Sequence, residues 1–396
     1  MNQIETAAPT PHVHTPLQRV LGEFGTGVPG PLLVAVGGVH GNEPSGVRAI
    51  EKVFGALHAS GTPIRGRFVG LAGNLAALAA GERYLDVDLN RIWAEEAATT
   101  KQWASAREVV ERDSLQRAFD EQLAGNWTQV IVADLHSTSA SGGGFVVMAD
   151  TLRNRGVARH LPIPVILGLE ETVFGTLVES ICEQGHVAIC IEGGQHQDPT
   201  TVDHHESALW ILLVEMGLID RSAVPDLSAH VTRMQACGGR CPSVMEIRYR
   251  HQLHAGDRFA MKPGMKNFDR VREDEALAKA GPTLTQDVLS PLDGYLLMPL
   301  YQPKGDDGFF IVRAVRPLWL TLSTVLRRLR LDRFLSWLPG VDRDPHHAGW
   351  LRVNRRVARF LAVQFFHLFG YRLCGVDGRV LVLSRRREGR APRNIR

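Results

Sequence analysis

The chain reads as an α/β protein: a mixed sheet flanked by helices, then a small all-β segment, then a basic, partly helical C-terminal extension. Three observations carry this. The first two hundred residues alternate short apolar β-rich runs with longer amphipathic stretches, the rhythm of stacked α/β layers. After about residue 225 the runs shorten and are separated by Gly, Pro and Asp turns. The last eighty residues then change in charge. Residues 317–396 hold 17 Arg, no Lys and 5 acids, a net of +12, whereas 1–316 carry 28 basic and 37 acidic residues, a net of −9. These shifts suggest boundaries at 1–225, 226–316 and 317–396.

Leu32–Val39 is apolar throughout and reads as a buried strand. A Gly-rich turn with His40 and Glu43 ends it, and a helix follows from Ser45 to His58. Arg67–Ala72 is a second strand, and Asn74 is placed to cap a short Ala/Leu-rich helix. Residues 101–124 form a charged amphipathic helix. Thr128–Leu135, Phe145–Met148, Val165–Leu167 and Val187–Ile191 are further buried strands, and Asp203–Met216 carries apolar residues at helical spacing. In the β-rich segment, Ser243–Arg250, Gly294–Leu300 and Phe309–Val315 are strand-like. The extension holds two stretches, 318–338 and 350–373, in which Leu, Phe and Trp separate arginines. A short strand Val380–Leu383 and a disordered end RRREGRAPRNIR follow.

Several classes fall away. The start MNQIETAAPTPHVH has no basic residues before an apolar run, so no secretory signal is expected. LLVAVGGV and VAICI are strand-sized, far below the ~20 residues of a membrane-spanning helix. Five cysteines without regular spacing argue for a reducing, cytoplasmic setting. Cys237 and Cys241 form a lone CGGRC, short of the four ligands of a structural zinc.

The chemistry concentrates in GGVHGNEPSG and ADLHST. His40, Glu43 and His136 are two imidazoles and a carboxylate, a set that holds a catalytic zinc and leaves a fourth position open. Manganese or cobalt would accept the same ligands. His40, His136 and Glu192 each follow a predicted strand, and in open α/β sheets sites form beyond the carboxyl ends of strands. Asp134 would orient His136 if the backbone bends there, or else cap a turn. Glu192, an acid ending the apolar run of CIEGGQH, suits a general base; its bland role is a turn cap. Arg83 and Arg91, with Asn90 beside the second, would bind an anionic substrate and stabilise an oxyanion, or simply be solvated. The pairs His204 and His205, His251 and His254, and His346 and His347 show no acidic context and are assigned no role.

Taken together, GGVHGNEPSG, RYLDVDLNR, ADLHST and IEGG resemble, in this order, the aspartoacylase and succinylglutamate desuccinylase family, relatives of the zinc carboxypeptidases. The similarity covers roughly residues 30–200. A weaker one links SPLDGYLLMPLYQPKGDDGFFIVR to the family's C-terminal β domain. The resemblance implies a zinc-carboxypeptidase-like mixed sheet in a catalytic domain over 1–225. It implies one zinc on His40, Glu43 and His136, with Glu192 as general base and proton shuttle. Arg83 would polarise the scissile carbonyl, and Asn90 and Arg91 would hold the substrate's carboxylate. The substrate class is a small anionic N-acyl amino acid. Two departures leave its identity open: the loop QPKGDDGFF lacks the family's substrate-closing tyrosine, with Tyr301 merely nearby, and GGQHQDP replaces a longer run after the base. The tail has no counterpart in the family.

The expectation is thus a zinc-dependent amidohydrolase. A carboxypeptidase-like peptidase or an esterase on the same site are its rivals. The tail 317–396 could instead bind an anionic membrane surface, making the protein peripheral there, with nucleic acid ranked below it. Otherwise it is an appendage that packs on the acidic body or on a second copy in a homo-oligomer.

Overall fold

Where the sequence is most apolar, the sheet is most deeply buried. Its strands are β1 (Val20–Gly25), β2 (Leu32–Gly37), β3 (Arg67–Ala72), β4 (Val130–Thr138), β5 (Phe145–Val147), β6 (Val165–Leu167) and β7 (Val187–Gln195). They are followed by β8 (Val244–Gln252), β9 (Phe259–Met261), β10 (Arg270–Val271), β11 (Ala276–Ala280), β12 (Gln286–Leu289), β13 (Gly294–Leu297) and β14 (Asp307–Ala314). One eleven-stranded sheet has the order β1-β3-β2-β4-β7-β5-β6-β8-β14-β13-β10, and β12-β11-β9 form a separate three-stranded sheet. The computed structural model describes residues 17–25, 27–94, 103–224, 226–356 and 362–388.

The centre of the large sheet is parallel: β2 pairs with β3 and β4, and β4 with β7. Parallel strands need cover on both faces. On one face α1 (Ser45–Ser60) lies beside a later helix, Thr200–Glu215, with Ile50, Val53 and Leu57 packed among Leu209, Leu212 and Leu213. On the other face α2 (Leu75–Ala80) and α3 (Arg107–Leu123) are joined by helix Leu177–Glu183, burying Leu115, Phe119, Leu177 and Ile181. In chain order the remaining helices are α4 (Leu152–Ala158), α5 (Leu177–Glu183), α6 (Thr200–Glu215) and α7 (Leu227–Gly238). Asn74 caps α2 as expected, accepting from the Ala77 amide at 3.0 Å.

The element α7 is a correction, because the segment 226–316 was expected to be all-β. Its buried residues Leu227, Met234 and Cys237, with Val231 packed on the same core, stand at helical spacing, and the Ser, His, Thr, Arg and Gln between them hid that stripe. Beyond it β8 joins β6 in parallel, Val165 facing Val244, so the large sheet runs on through the β-rich segment.

The extension is also more ordered than its composition suggested. It comprises α8 (Pro317–Arg328), a 3-10 turn Leu331–Trp337, β15 (Val341–Arg343), β16 (Trp350–Asn354), α9 (Ala362–Leu368), β17 (Tyr371–Asp377) and β18 (Val380–Arg385). A four-stranded antiparallel sheet, β15-β16-β18-β17, has its own core of Leu335, Leu351, Val353, Phe366, Tyr371 and Leu383. The expected strand Val380–Leu383 is present as β18, whereas β16, where Leu351 and Val353 alternate at the period of two that a half-buried strand needs, was hidden by the polar residues around them. Nor is RRREGRAPRNIR disordered at its start: Arg385 ends β18 and Arg386 is buried, while residues 389–396 lie outside the described residues. The N-terminal segment MNQIETAAPTPHVH lies outside them as well.

Candidate metal centre and active-site pocket

The parallel strands deliver the candidate ligands to one edge. β2 ends in two glycines, and the loop after it carries His40 and Glu43 into α1. Gly41 lets this loop lie on α2: a Cβ there would stand 2.0 Å from the Ala77 carbonyl carbon. His136 and Glu192 do not follow their strands, as expected, but sit inside β4 and β7, which extend to Thr138 and Gln195. They face each other in register. Gly193 accommodates a neighbouring ring, since a Cβ there would meet His205 Nε2 at 2.5 Å.

Among the described residues, His40, Glu43 and His136 are the group able to hold a metal ion, their ligand atoms all within 4.8 Å of one another. Both imidazoles turn Nδ1 to Glu43: His40 at 2.9 Å from Oε1 and His136 at 3.2 Å from Oε2. Each Nε2 then meets a carboxylate, His40 with Asp88 at 3.1 Å and His136 with Asp134 at 2.9 Å. Asp134 needs no bend in the chain to do this, because residues two apart in a strand share a face. The Ser137 amide donates to Glu43 Oε2 at 2.9 Å.

The electrostatics favour a cation at this point. Burial disfavours charge on Glu43, yet His40 and His136 hold its carboxyl well below the usual range. Burial likewise opposes charge on His136, but Asp134 and Glu43 outweigh it and hold the imidazole pKa well above its ordinary value. Two imidazoles among three buried carboxylates, each ring fixed by its second nitrogen, fit a divalent metal in donor type and in orientation.

All seven residues singled out from the sequence line one cavity of ≈140 Å³: His40, Glu43, Arg83, Asn90, Arg91, His136 and Glu192. Glu192 is 8 % exposed, and its Oε2 has no hydrogen-bond partner. Burial, with Glu43 and Asp134 nearby, pushes its pKa up to about 8, against the lowering pull of His136 and Arg83. Arg83 donates to Glu43 Oε1 at 3.3 Å and to Asp88 Oδ2 at 3.1 Å, so its guanidinium lies against the ligand group. Asn90 spends its side-chain oxygen on the Leu177 amide at 2.9 Å, at the start of α5. Arg91 is paired with Asp307 at 3.3 Å, and Asp307 also binds Arg250.

Other pocket residues went unread in the sequence. His196 spans Ser137 Oγ (2.8 Å) and Gln302 Oε1 (3.1 Å), fixing a wall of the cavity. His205, left without a role, is fully buried and bonded through Nε2 to the His136 carbonyl at 2.9 Å. Its place one helical turn inside α6 was the available signal. Asp88 stood in RYLDVDLNR without a role. Tyr301 is absent from the cavity lining; its hydroxyl binds the Lys262 carbonyl and the Met265 amide.

Residues 29–206 match the family model described as succinylglutamate desuccinylase/aspartoacylase catalytic domain. A succinylglutamate desuccinylase of Burkholderia cenocepacia is 33% identical over 82 residues, 21% of this chain and 24% of that protein. The chain thus spans about a quarter of the length of the curated relatives it matches. A succinylglutamate desuccinylase/aspartoacylase from Rhodobacter sphaeroides superposes with a TM-score of 0.54 at 18% identity, covering 73% of this chain and 87% of that one. Murine aminoacylase 3 superposes with 0.51 at 20% identity, covering 73% and 97%. At these identities the solved structures share the fold.

Proposed function

Since this chain belongs to the succinylglutamate desuccinylase/aspartoacylase family of deacylases, we propose that it is a zinc-dependent hydrolase cleaving the amide bond of a small anionic N-acyl amino acid. The observation that carries this reading is the buried His40–Glu43–His136 group with Glu192 and Arg83 lining the same cavity. His40, Glu43 and His136 would hold the metal, which supplies Lewis-acid polarisation of the acyl oxygen and acidifies water. Asp88 and Asp134 keep the two Nε2 atoms occupied and so hold both Nδ1 atoms inward.

Glu192 takes the proton of the attacking water and passes it to the leaving amine. Without a metal, burial holds this carboxyl at about 8 and so mostly protonated at neutral pH; a divalent cation on the neighbouring ligands would lower it and free the carboxylate to act as the base. Arg83, fixed by Asp88 and Glu43, stabilises negative charge developing on the acyl oxygen. Arg91 and the free amide nitrogen of Asn90 receive the substrate's carboxylate, which has to compete with Asp307 for the guanidinium. A cavity of ≈140 Å³ suits a small substrate and argues against a long peptide. An ester of the same acid would meet the same groups. The five cysteines are all free, which supports a cytoplasmic setting.

Metal content and hydrolysis of a panel of acetyl, succinyl and longer N-acyl amino acids, on wild type and His136→Ala, test the reading. One zinc per chain in wild type, lost together with activity in the variant, is the expected result. A protein that neither takes up zinc nor cleaves any member of the panel overturns it.

A further inference from the structure

Helix α8 is packed inside out. A surface helix normally turns its apolar stripe to the core. Here the inward residues are Leu320, Ser323, Thr324 and Arg327, at the i, i+3, i+4, i+7 spacing of one face. Leu320 packs on the main core, and the other three make polar contacts. Arg327 binds Asp150 Oδ2 at 2.7 Å and the His367 carbonyl at 2.6 Å, Ser323 donates to the Leu368 carbonyl at 3.0 Å, and Arg155 donates to Thr324 Oγ1 at 3.5 Å. The opposite face carries Leu318, Leu322, Val325 and Leu329 at i, i+4, i+7, i+11, all exposed, Leu318 by 73 %. The turn that follows adds Phe334, Leu338 and Trp337, the last 78 % exposed, and Trp319 stands at the stripe's edge. Half of the exposed large apolar side chains among the described residues fall between Leu318 and Leu338.

The charges around this stripe identify what covers it. Arg316, Arg328, Arg330 and Arg333 are exposed and have no ion pair among the described residues. Arg333 lies over the Phe334 ring at 4.8 Å, and Phe334 meets Trp337 edge-on at 4.9 Å. The one acid of the segment, Asp332, is turned inward and held by Arg385 at 3.0 Å. Leucines flanked by arginines and two exposed tryptophans are the make-up of a helix that lies in the plane of an anionic bilayer. Arginines alone would suit a nucleic-acid backbone, but that partner leaves the aliphatic stripe in water. In a symmetric contact between two copies the arginines would confront one another.

We propose that α8 and the turn Leu331–Trp337 dock this protein on an anionic lipid surface, the apolar stripe entering the headgroup boundary and the four arginines engaging lipid phosphates. Among the described residues no helix is long and apolar enough to cross a membrane, so the contact is peripheral. The proposal is independent of the chemistry assigned to the pocket.

Cosedimentation of the full chain with vesicles tests it, comparing phosphatidylcholine alone with equal parts of phosphatidylcholine and phosphatidylglycerol. Wild type should pellet with the mixed vesicles, and high salt should weaken the association. Leu322→Glu/Leu329→Glu should lower partitioning about tenfold or more, and Arg328→Glu/Arg330→Glu/Arg333→Glu should abolish the preference for the anionic lipid. All five positions are exposed, so both variants should keep the wild-type melting temperature. Wild type that stays in solution with anionic vesicles overturns the proposal, as does binding that neither variant weakens. Sedimentation showing a lipid-independent dimer that Leu322→Glu/Leu329→Glu dissociates would also overturn it and give the face to a second copy.

Discussion

Replacing Glu192 by Gln exchanges one ionisable oxygen for an amide of the same shape in a buried position. Because Glu192 is not one of the three residues whose ligand atoms converge, the variant should keep its metal. What it loses is the proton acceptor. A positioned general base contributes about 10²–10⁴-fold, so kcat should fall by that factor, about 3–5 kcal/mol of barrier, with a smaller change in KM. A second readout comes from the metal-free protein. Folding holds this carboxyl at about 8 against an ordinary 4.5, mainly through burial. An acid whose pKa is raised by folding destabilises the folded state once it must ionise. Metal-free wild type should therefore lose stability as pH rises from 4.5 through about 8, and the Gln variant should not. At about 1.4 kcal/mol per pH unit the gap sets a ceiling of about 5 kcal/mol on that difference. Steady-state kinetics, metal analysis and urea unfolding of the metal-free forms at two pH values check all three statements. A variant with kcat within about tenfold of wild type removes Glu192 from proton transfer, and one that loses zinc makes it a ligand instead.

Other perturbations reach the supports of the site and the extension. Asp134→Ala should weaken zinc binding about 10–100-fold in a chelator competition while leaving the fold intact, since it frees the second nitrogen of His136; unchanged affinity would contradict that role. His367, buried between Glu171 and Glu246, is held at about 9 against an ordinary 6.5 because the two carboxylates outweigh burial. Its stabilisation is complete below pH 6.5 and is lost as pH rises through about 9, at most about 3 kcal/mol, and His367→Gln should flatten this part of the urea-unfolding profile. Arg386→Met leaves Glu170 without its guanidinium partner and should cost about 3–5 kcal/mol in urea unfolding; a loss near zero would mean that the extension does not brace the body. Glu170 lines the cavity proposed to take the substrate, so the same variant should raise KM more than it lowers kcat.

Much of the site was legible because it is carried by residues whose types are restricted and whose positions follow from strands. β2, β4 and β7 are apolar over six, four and five consecutive residues, and any polar residue near their carboxyl ends stood out. Strand length was the weak point. His136 and Glu192 were taken to stand beyond their strands, where a charge is less costly than inside a buried one; here Asp134 and Glu43 offset the burial of His136, and His136 and Arg83 offset part of that of Glu192. What escaped notice were partners at large sequence distance. Asp307 comes to Arg91 from 216 positions away, and Gln302 to His196 from 106. No local pattern encodes such a meeting, and the two contacts bear directly on which substrate the pocket accepts. With Arg91 already paired, a substrate carboxylate gains a salt bridge only by breaking one, so selection against substrates lacking that carboxylate is weaker than the bare motif implies.

The arginine-rich extension shows why composition alone misled. Its arginines divide into two populations that charge counting cannot separate. Arg327, Arg372 and Arg386 point into the molecule and meet Asp150, Glu179 and Glu170 of the acidic body. Glu170 and Glu179 both line the cavity that holds His40, Glu43 and His136, so the extension braces its wall from behind. Arg328, Arg330 and Arg333 point outward among leucines and tryptophans, without acids to meet them. An amphipathic pattern in the sequence fixes the angle between the two faces of α8 but not which of them faces the protein. Buried Asp150 decides that. Arg155 already meets its carboxylate, and Arg327 adds a second guanidinium there and binds the Asp150 and His367 carbonyls besides, so the helix turns Arg327 inward and leaves its apolar face to be covered by something else.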